Sequence, residues 1–191
     1  MIYKVVDNRV VPAFTHKVAD IPGGVTIDTS ELTQTTLKEG TPIGPDTLGK
    51  YHVVKVAKLT AAATATATTY TVLKGHNFKV GDIIMLAEKS KGYAITAIAT
   101  NSTDETSDDL TVGTTLGSAA AVGVCVYQSG STGASNSAFK YTPKALVGEG
   151  YDVASLNEVF VNAWTVGQLH EGNIPALGDL VKLKLPGIIL I

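Results

Sequence analysis

Positive charge in this chain is carried almost entirely by lysine: of fifteen basic residues, only Arg9 is an arginine. Guanidinium groups dominate base and phosphate recognition because they donate hydrogen bonds in a rigid fork. One arginine, no basic cluster and a net charge of −2 exclude an ordinary nucleic-acid-binding surface. Cysteine is almost missing too. The single Cys125 excludes an internal disulfide framework and a cysteine-rich zinc site. Its setting in AVGVCVYQ reads as a small buried hydrophobe. Charged residues make up 17% of the chain, against about 25% in an average soluble domain. A surface this poor in charge is expected to be partly covered by partners. Long apolar runs are also lacking, and none approaches the ~20 residues that span a bilayer as a helix. Met1–Pro12 has neither the continuous apolar core nor the cleavage site of a signal peptide. A soluble protein made in a cytoplasm, without a membrane partner, is expected.

What fills the chain instead is Ala, Val, Thr and Gly, residues that suit pleated strands and tight turns. At 191 residues there is room for one ordinary domain or two small ones, with a core that needs no disulfides. Three regions differ in texture. The first, residues 1–57, opens with short β-type segments around Val5 and Val10 and a turn at Ile21–Gly24. In DTSELTQTTLKEG, Asp28 to Ser30 are placed to cap a short helix ending near Gly40, although the threonines favour strand equally well. YHVVKVAKL reads as one strand. The second region, residues 58–128, opens on AAATATATT, an alternating extended stretch or spacer. TYTVL, IIMLAE, YAITAIAT, LTVGTTLG and AVGVCVYQ follow as short strands at regular spacing with turn residues between them. That rhythm predicts a small barrel. The phrase FKVGDIIML, an aromatic, a Gly81–Asp82 turn and an apolar strand, is common in SH3-like barrels. The third region, residues 129–191, begins with SGSTGASNSA, whose composition predicts an exposed, flexible loop. Toward the end of the chain LVKLKL alternates apolar and lysine residues as a half-buried strand would. No segment carries a long 3.6-residue apolar period, so the chain is expected to be mainly β, with the middle region inserted into the outer two.

One stretch invites a nucleotide-binding reading. Gly44-Pro-Asp-Thr-Leu-Gly49-Lys50 has the spacing of a phosphate-binding loop. The hydroxyl residue that should follow the lysine is replaced by Tyr51, and the segment beyond is strand-like rather than helical. A turn between strands ending at Ile43 and starting at Tyr51 is expected instead. His16, His52, His76 and His170 stand apart from one another and from Cys125, so no metal or cofactor is expected. The acidic run Asp104-Glu105 and Asp108-Asp109 lacks the spacing of a calcium loop and reads as a solvated hairpin tip. No G-x-S-x-G is present, GEGYDV lacks the third glycine of a dinucleotide fingerprint, and no spacing supports a catalytic site. Trp164, in VNAWTVG, reads first as a core residue and second as an anchor in a subunit interface.

With catalytic chemistry unsupported, the outer regions carry a resemblance. LKEGTPIGPDTLGKYHVVKV, then KALVGEGYDVASLNEVFVNAWTVGQLHEGNIPALGD and LKLPGIILI, resemble the head decoration proteins of tailed bacteriophages, the lambda D-like family. The resemblance covers roughly residues 37–57 and 145–191. It rests on Gly40-Thr41-Pro42-Ile43 before a turn and strand, on the Leu146-Val147-Gly148 step, and on the apolar terminal strand. It implies a decoration-protein-like β core in residues 1–57 and 129–191; the chain departs from the family at residues 58–128, the region read as an inserted SH3-like barrel. The implied protein is a non-enzymatic homotrimer on the capsid exterior, seated on local threefold positions of the head and contacting the major capsid protein. It further implies that an N-terminal arm adds to the edge of a capsid-protein sheet. Ile2, Tyr3, Val5, Val6 and Val10 of the short, β-branched MIYKVVDNRVV have that character. Three other functions fit the sequence less well: the base of a head fibre or adhesion module contacting host glycans, a hydrolase acting on cell walls, and a generic bacterial β-domain used for protein recognition.

Overall fold

The computed structural model describes residues 12–191, and the five arm positions Ile2, Tyr3, Val5, Val6 and Val10 lie outside them. Along the chain come β1 (Phe14–Asp20), β2 (Val25–Asp28), β3 (Thr36–Leu37), β4 (Pro42–Pro45) and β5 (Tyr51–Val53). Next follow β6 (Val56–Lys58), β7 (Thr69–Leu73), β8 (Ile83–Met85), β9 (Gly92–Thr100), β10 (Ser107–Val112) and β11 (Cys125–Ser129). The last part holds β12 (Ala145–Val147), β13 (Tyr151–Asp152), β14 (Glu158–Val161), β15 (Ala163–Leu169), a 3-10 turn at Glu171–Asn173, helix α1 (Gly178–Lys184) and β16 (Ile188–Leu190). The protein is mainly β, as expected from its composition.

Two curled sheets carry the fold. An eight-stranded sheet runs β1-β15-β12-β4-β5-β2-β14, with β16 beside β15, so its strands come from both ends of the chain. Within it β2–β5 and β15–β16 are parallel and the other pairs antiparallel. A six-stranded sheet runs β6-β11-β8-β9-β10-β7, drawn from residues 56–129, slightly beyond the expected bounds of the middle region at both ends. It curls until its ends meet: Leu59 bridges Val72, and the Thr60 N–H donates to the Thr71 carbonyl at 3.0 Å. The inward face of this sheet is the alternate set the sequence offers, with Tyr70, Val72, Ile84, Leu110 and Val126 fully buried around Phe78. The Gly81–Asp82 turn before β8 is pinned by paired backbone bonds with Ile95 at 2.8 Å each.

YHVVKVAKL is two strands rather than one. β5 belongs to the larger sheet, β6 to the smaller, and the chain crosses between them at Val54–Lys55. Alternation fails here because the crossing is covered on both sides, and His52 to Lys55 are all buried. Val53, Val54 and Ala57 each enter a different core cluster. One of those cores joins the two sheets: Phe14, Leu146 and Leu169 from the larger meet Met85, Cys125 and Tyr127 from the smaller.

Helix α1 fills that junction, and it corrects the strand expected at LVKLKL. Leu177, Val181 and Leu185 recur every four residues, all buried, while Leu183 is 75% exposed. The period-two alternation of Val, Leu and Lys was compatible with either structure, and packing against the junction selects the helix. At its start Gly178 has φ of 65°, and a Cβ there would land on the Tyr127 hydroxyl and the Cys125 side chain. The Tyr127 hydroxyl also accepts the Leu180 N–H at 3.2 Å, one of the donors a helix start leaves open.

One further expectation is corrected. No helix forms at residues 28–40. Asp28 Oδ1 instead accepts both the N–H and hydroxyl of Ser30, closing a local turn, and only β3 is regular there. The SGSTGASNSA segment is a largely exposed loop, as expected, held by two buried serines, Ser129 and Ser137. The Ser137 hydroxyl donates to the Ala87 carbonyl at 2.8 Å and accepts the Ser90 N–H at 3.0 Å.

Candidate functional site

The Gly44–Lys50 loop settles the nucleotide question by its own hydrogen bonds. It joins β4 to β5 as a hairpin, with Gly44 opposite His52 and Pro45 opposite Tyr51. A phosphate-binding loop turns backbone N–H groups toward an incoming anion. Here Asp46 occupies that role: its Oδ1 accepts the N–H groups of Leu48 and Lys50, each at 2.9 Å. The Lys50 ammonium lies between Asp28 Oδ2 at 2.9 Å and Glu158 Oε1 at 2.6 Å, tying β5 to β2 and β14. Both carboxylates hold its proton and raise its pKa. The Ser30 hydroxyl and Lys50 in turn hold Asp28 well below the usual carboxylate range. Gly44 is required for another reason. A Cβ there would land on the Thr142 carbonyl oxygen, because residues 141–142 cross directly over β4.

The densest polar constellation lies where the two sheets meet. Lys55, with a side chain only 2% exposed, reaches Asp82 Oδ2 at 2.8 Å. The same carboxylate accepts the Lys79 N–H at 2.8 Å and the Gln128 side-chain amide at 2.9 Å. Lys55 comes from the crossing segment, Asp82 from the loop before β8, and Gln128 from β11. Glu31 accepts Lys140 Nζ at 2.7 Å and the Tyr141 hydroxyl at 3.0 Å. Burial alone would raise Glu31, but Lys140 and Tyr141 outweigh it and hold its carboxyl below the ordinary value. The Tyr141 ring stacks on His52 with centroids 4.1 Å apart. Lys55 and Lys140 each have a carboxylate partner, so the cluster ties the two sheets together.

A cleft of about 480 Å³ runs between the smaller sheet and the segment around α1, lined by Leu73, Val124, Cys125, Ile174 and Leu180. Cys125 is the one thiol near it. Burial pushes that thiol up to about 11, so at neutral pH it is a packed hydrophobe and not a nucleophile. Among the described residues no group of three or more His, Cys, Asp and Glu converges as a metal site would require. The acidic run forms the β9–β10 hairpin, whose carboxylates are engaged locally: Asp104 accepts from Thr106 and Ser107, and Asp109 from Asn101 and Thr71. No described helix is long and apolar enough to cross a membrane.

Trp164 sits half-buried on β15, against the Phe14 ring at 6.3 Å, with Lys17 Nζ 5.6 Å from its own ring. Its indole packs against Gly148, the glycine of the Leu146-Val147-Gly148 step. The structure thus joins Trp164 to a motif position that sequence reading treated separately. The Lys55–Asp82 pair was missed altogether. Its only sequence signal is a lysine inside an otherwise apolar stretch, VVKVA, where both strand faces are buried.

Comparison with known proteins identifies no relative: no family model, no curated protein and no solved structure matches the chain.

Proposed function

We propose that this chain is a structural virion protein that decorates and cements a phage capsid, as a trimer on local threefold positions. One observation carries the reading. The two stretches that resemble decoration proteins, residues 37–57 and 145–191, are far apart in the sequence yet interleave in a single sheet. β12 of the second stretch pairs directly with β4 of the first, Ala145 opposite Ile43 and Leu146 opposite Pro42.

The arm residues Ile2, Tyr3, Val5, Val6 and Val10 precede β1, which is an edge of the larger sheet. In this reading they add a strand to the major capsid protein. Three such arms per trimer, each weak alone, bind with avidity when all can engage. The half-exposed face of Trp164, next to β1, is assigned to the subunit contact. The six-stranded sheet is read as an SH3-like module inserted between β5 and β12 and facing away from the shell. Its contiguous origin in the chain supports that assignment.

The test uses empty shells assembled from the major capsid protein encoded with this chain. Full-length protein should sediment as a trimer and co-sediment with the shells, and removal of residues 1–11 should abolish co-sedimentation while leaving the trimer. A monomer that does not bind shells rejects the reading.

A further inference from the structure

The loop between β7 and β8 is the smaller sheet's handle on the larger one. The Thr33 hydroxyl donates to the His76 carbonyl at 3.1 Å, and the Thr33 and Gln34 N–H groups donate to Asn77 Oδ1 at 3.1 and 3.2 Å. Lys79 Nζ reaches the Ser30 carbonyl at 3.1 Å. At the centre of this loop stands His76, with a side chain 6% exposed. Its Nδ1 accepts the Phe78 N–H at 3.2 Å, so the neutral ring carries its proton on Nε2, which lies 3.4 Å from Asp108 Oδ2.

That arrangement is available only to neutral imidazole. A second proton must go to Nδ1, where it would point at the Phe78 N–H, donor against donor. One of the two must turn away, and the three-residue span from His76 to Phe78 includes both groups that hold Thr33 and Gln34. We propose that His76 is an acid-sensitive latch between the two sheets: protonation at Nδ1 breaks its bond to Phe78 and releases the Gly75–Phe78 loop from Thr33 and Gln34.

The charges around the ring are Asp108 from β10, Lys74 from the same loop and Lys55 from the crossing segment. Asp108 favours the imidazolium, but Lys74 Nζ already lies 3.8 Å from its other oxygen. Burial opposes the charged form most strongly, Lys55 adds to that opposition, and together they hold His76 below the ordinary imidazole value. A group buried neutral stabilises the closed form above its unfolded pKa, about 6.5, and that contribution is lost as pH falls toward the lower folded value. Release therefore belongs to mildly acidic pH. The Lys55–Asp82 and Glu31–Lys140 contacts remain, so release loosens one edge of the junction and does not separate the sheets.

Amide hydrogen exchange read by NMR tests this on the full chain. Protection factors, corrected for intrinsic rates, should fall about tenfold or more for Thr33, Gln34 and Phe78 between about pH 7.5 and about pH 5, while Leu110 in β10 keeps its protection. His76→Asn supplies an amide oxygen for the Phe78 N–H without titrating, and should hold the three amides closed at both pH values. Protection that does not change with pH in the parent chain overturns the latch, as does an equal loss in His76→Asn. Should the variant fold poorly, imidazole ¹⁵N shifts of the parent chain decide. An Nε2–H tautomer that converts to imidazolium as the three amides open supports the latch; an Nδ1–H tautomer at neutral pH, or ring titration without amide opening, overturns it.

Discussion

The smaller sheet is built from one unbroken run of chain, whereas the larger is assembled from segments that the smaller one separates. Of the five neighbouring pairs in the smaller sheet, β8–β9 and β9–β10 join strands consecutive in the chain, and all five lie within residues 56–129. Neighbours in the larger sheet meet across the whole sequence: β1 pairs with β15, β12 with β4, and β14 with β2. Their side-chain patterns reflect contacts that local sequence does not contain. The two regions differ in contact order more than in composition. The larger sheet should form later, once the smaller has brought its segments together. Their boundary, with its buried ion pair and helix, is where this comparison can be broken.

The largest effect is expected from Asp82→Ala. It would leave the Lys55 ammonium buried without its partner, and unpaired buried charges typically cost about 3–5 kcal/mol. Chemical denaturation should show a matching loss. Replacing both residues with apolar ones of similar size, Lys55→Met with Asp82→Leu, should recover the part due to the orphaned charge, while the Lys79 N–H and the buried Gln128 amide still lack their acceptor. If the double variant is as unstable as Asp82→Ala, the pair is needed to orient the sheets and not merely to neutralise itself.

Next in size is Gly178→Ala. A φ of 65° and a Cβ directed at Tyr127 and Cys125 combine backbone strain with overpacking, together about 2–4 kcal/mol. Its loss should appear first as weaker docking of α1, seen as new exposure of the Cys125 thiol to a labelling reagent. A variant that unfolds globally with Cys125 still protected until the main transition would place α1 inside the cooperative unit instead of at its margin.

The legible parts of the sequence follow from the same contrast. TYTVL was legible because one face of β7 is core and the other is not, and alternation records that directly; IIMLAE was legible as a short apolar run, since Ile84 and Met85 of β8 are buried in two different cores. LVKLKL misled because a four-residue apolar stripe and a two-residue alternation coincide over so short a segment, and only the junction core chooses between them. Residues 28–40 misled because Asp28 and Ser30, good capping residues, spend their polar groups on each other, while Glu31 reaches Lys140 and Tyr141 more than a hundred residues away. The candidate site was legible only as the motif segments. Lys55 and Asp82 are 27 residues apart and belong to different textures, so nothing local marks them as partners.

A smaller, pH-dependent effect should distinguish the boundary from the sheets. Glu31 is held below its ordinary value in the folded state, so it contributes stability above the unfolded carboxylate pKa, about 4.3, and that contribution is lost as pH falls through the folded value. Denaturation midpoints measured from about pH 6 down to about pH 3 should fall. The fall should be shallower in Glu31→Gln, which keeps a hydrogen-bonding group but does not titrate. An identical slope in parent and variant would assign the acid sensitivity to Asp28 and other carboxylates of the larger sheet.

The smallest effect is expected at the residue that first suggested a nucleotide. Lys50 bridges Asp28 and Glu158, but its side chain is 35% exposed and that of Glu158 is 56% exposed, so solvent and salt screen both pairs. Lys50→Ala should leave the denaturation midpoint nearly unchanged, and what small loss there is should vanish in high salt. Gly44→Ala, six residues earlier in the same loop, should be far more damaging, because the Thr142 carbonyl occupies the space its methyl group would need. That ranking reverses the one a phosphate-binding loop would give. There the lysine is the functional residue, whereas here it is an exposed tether and the glycine holds the crossing of two chain segments in the larger sheet.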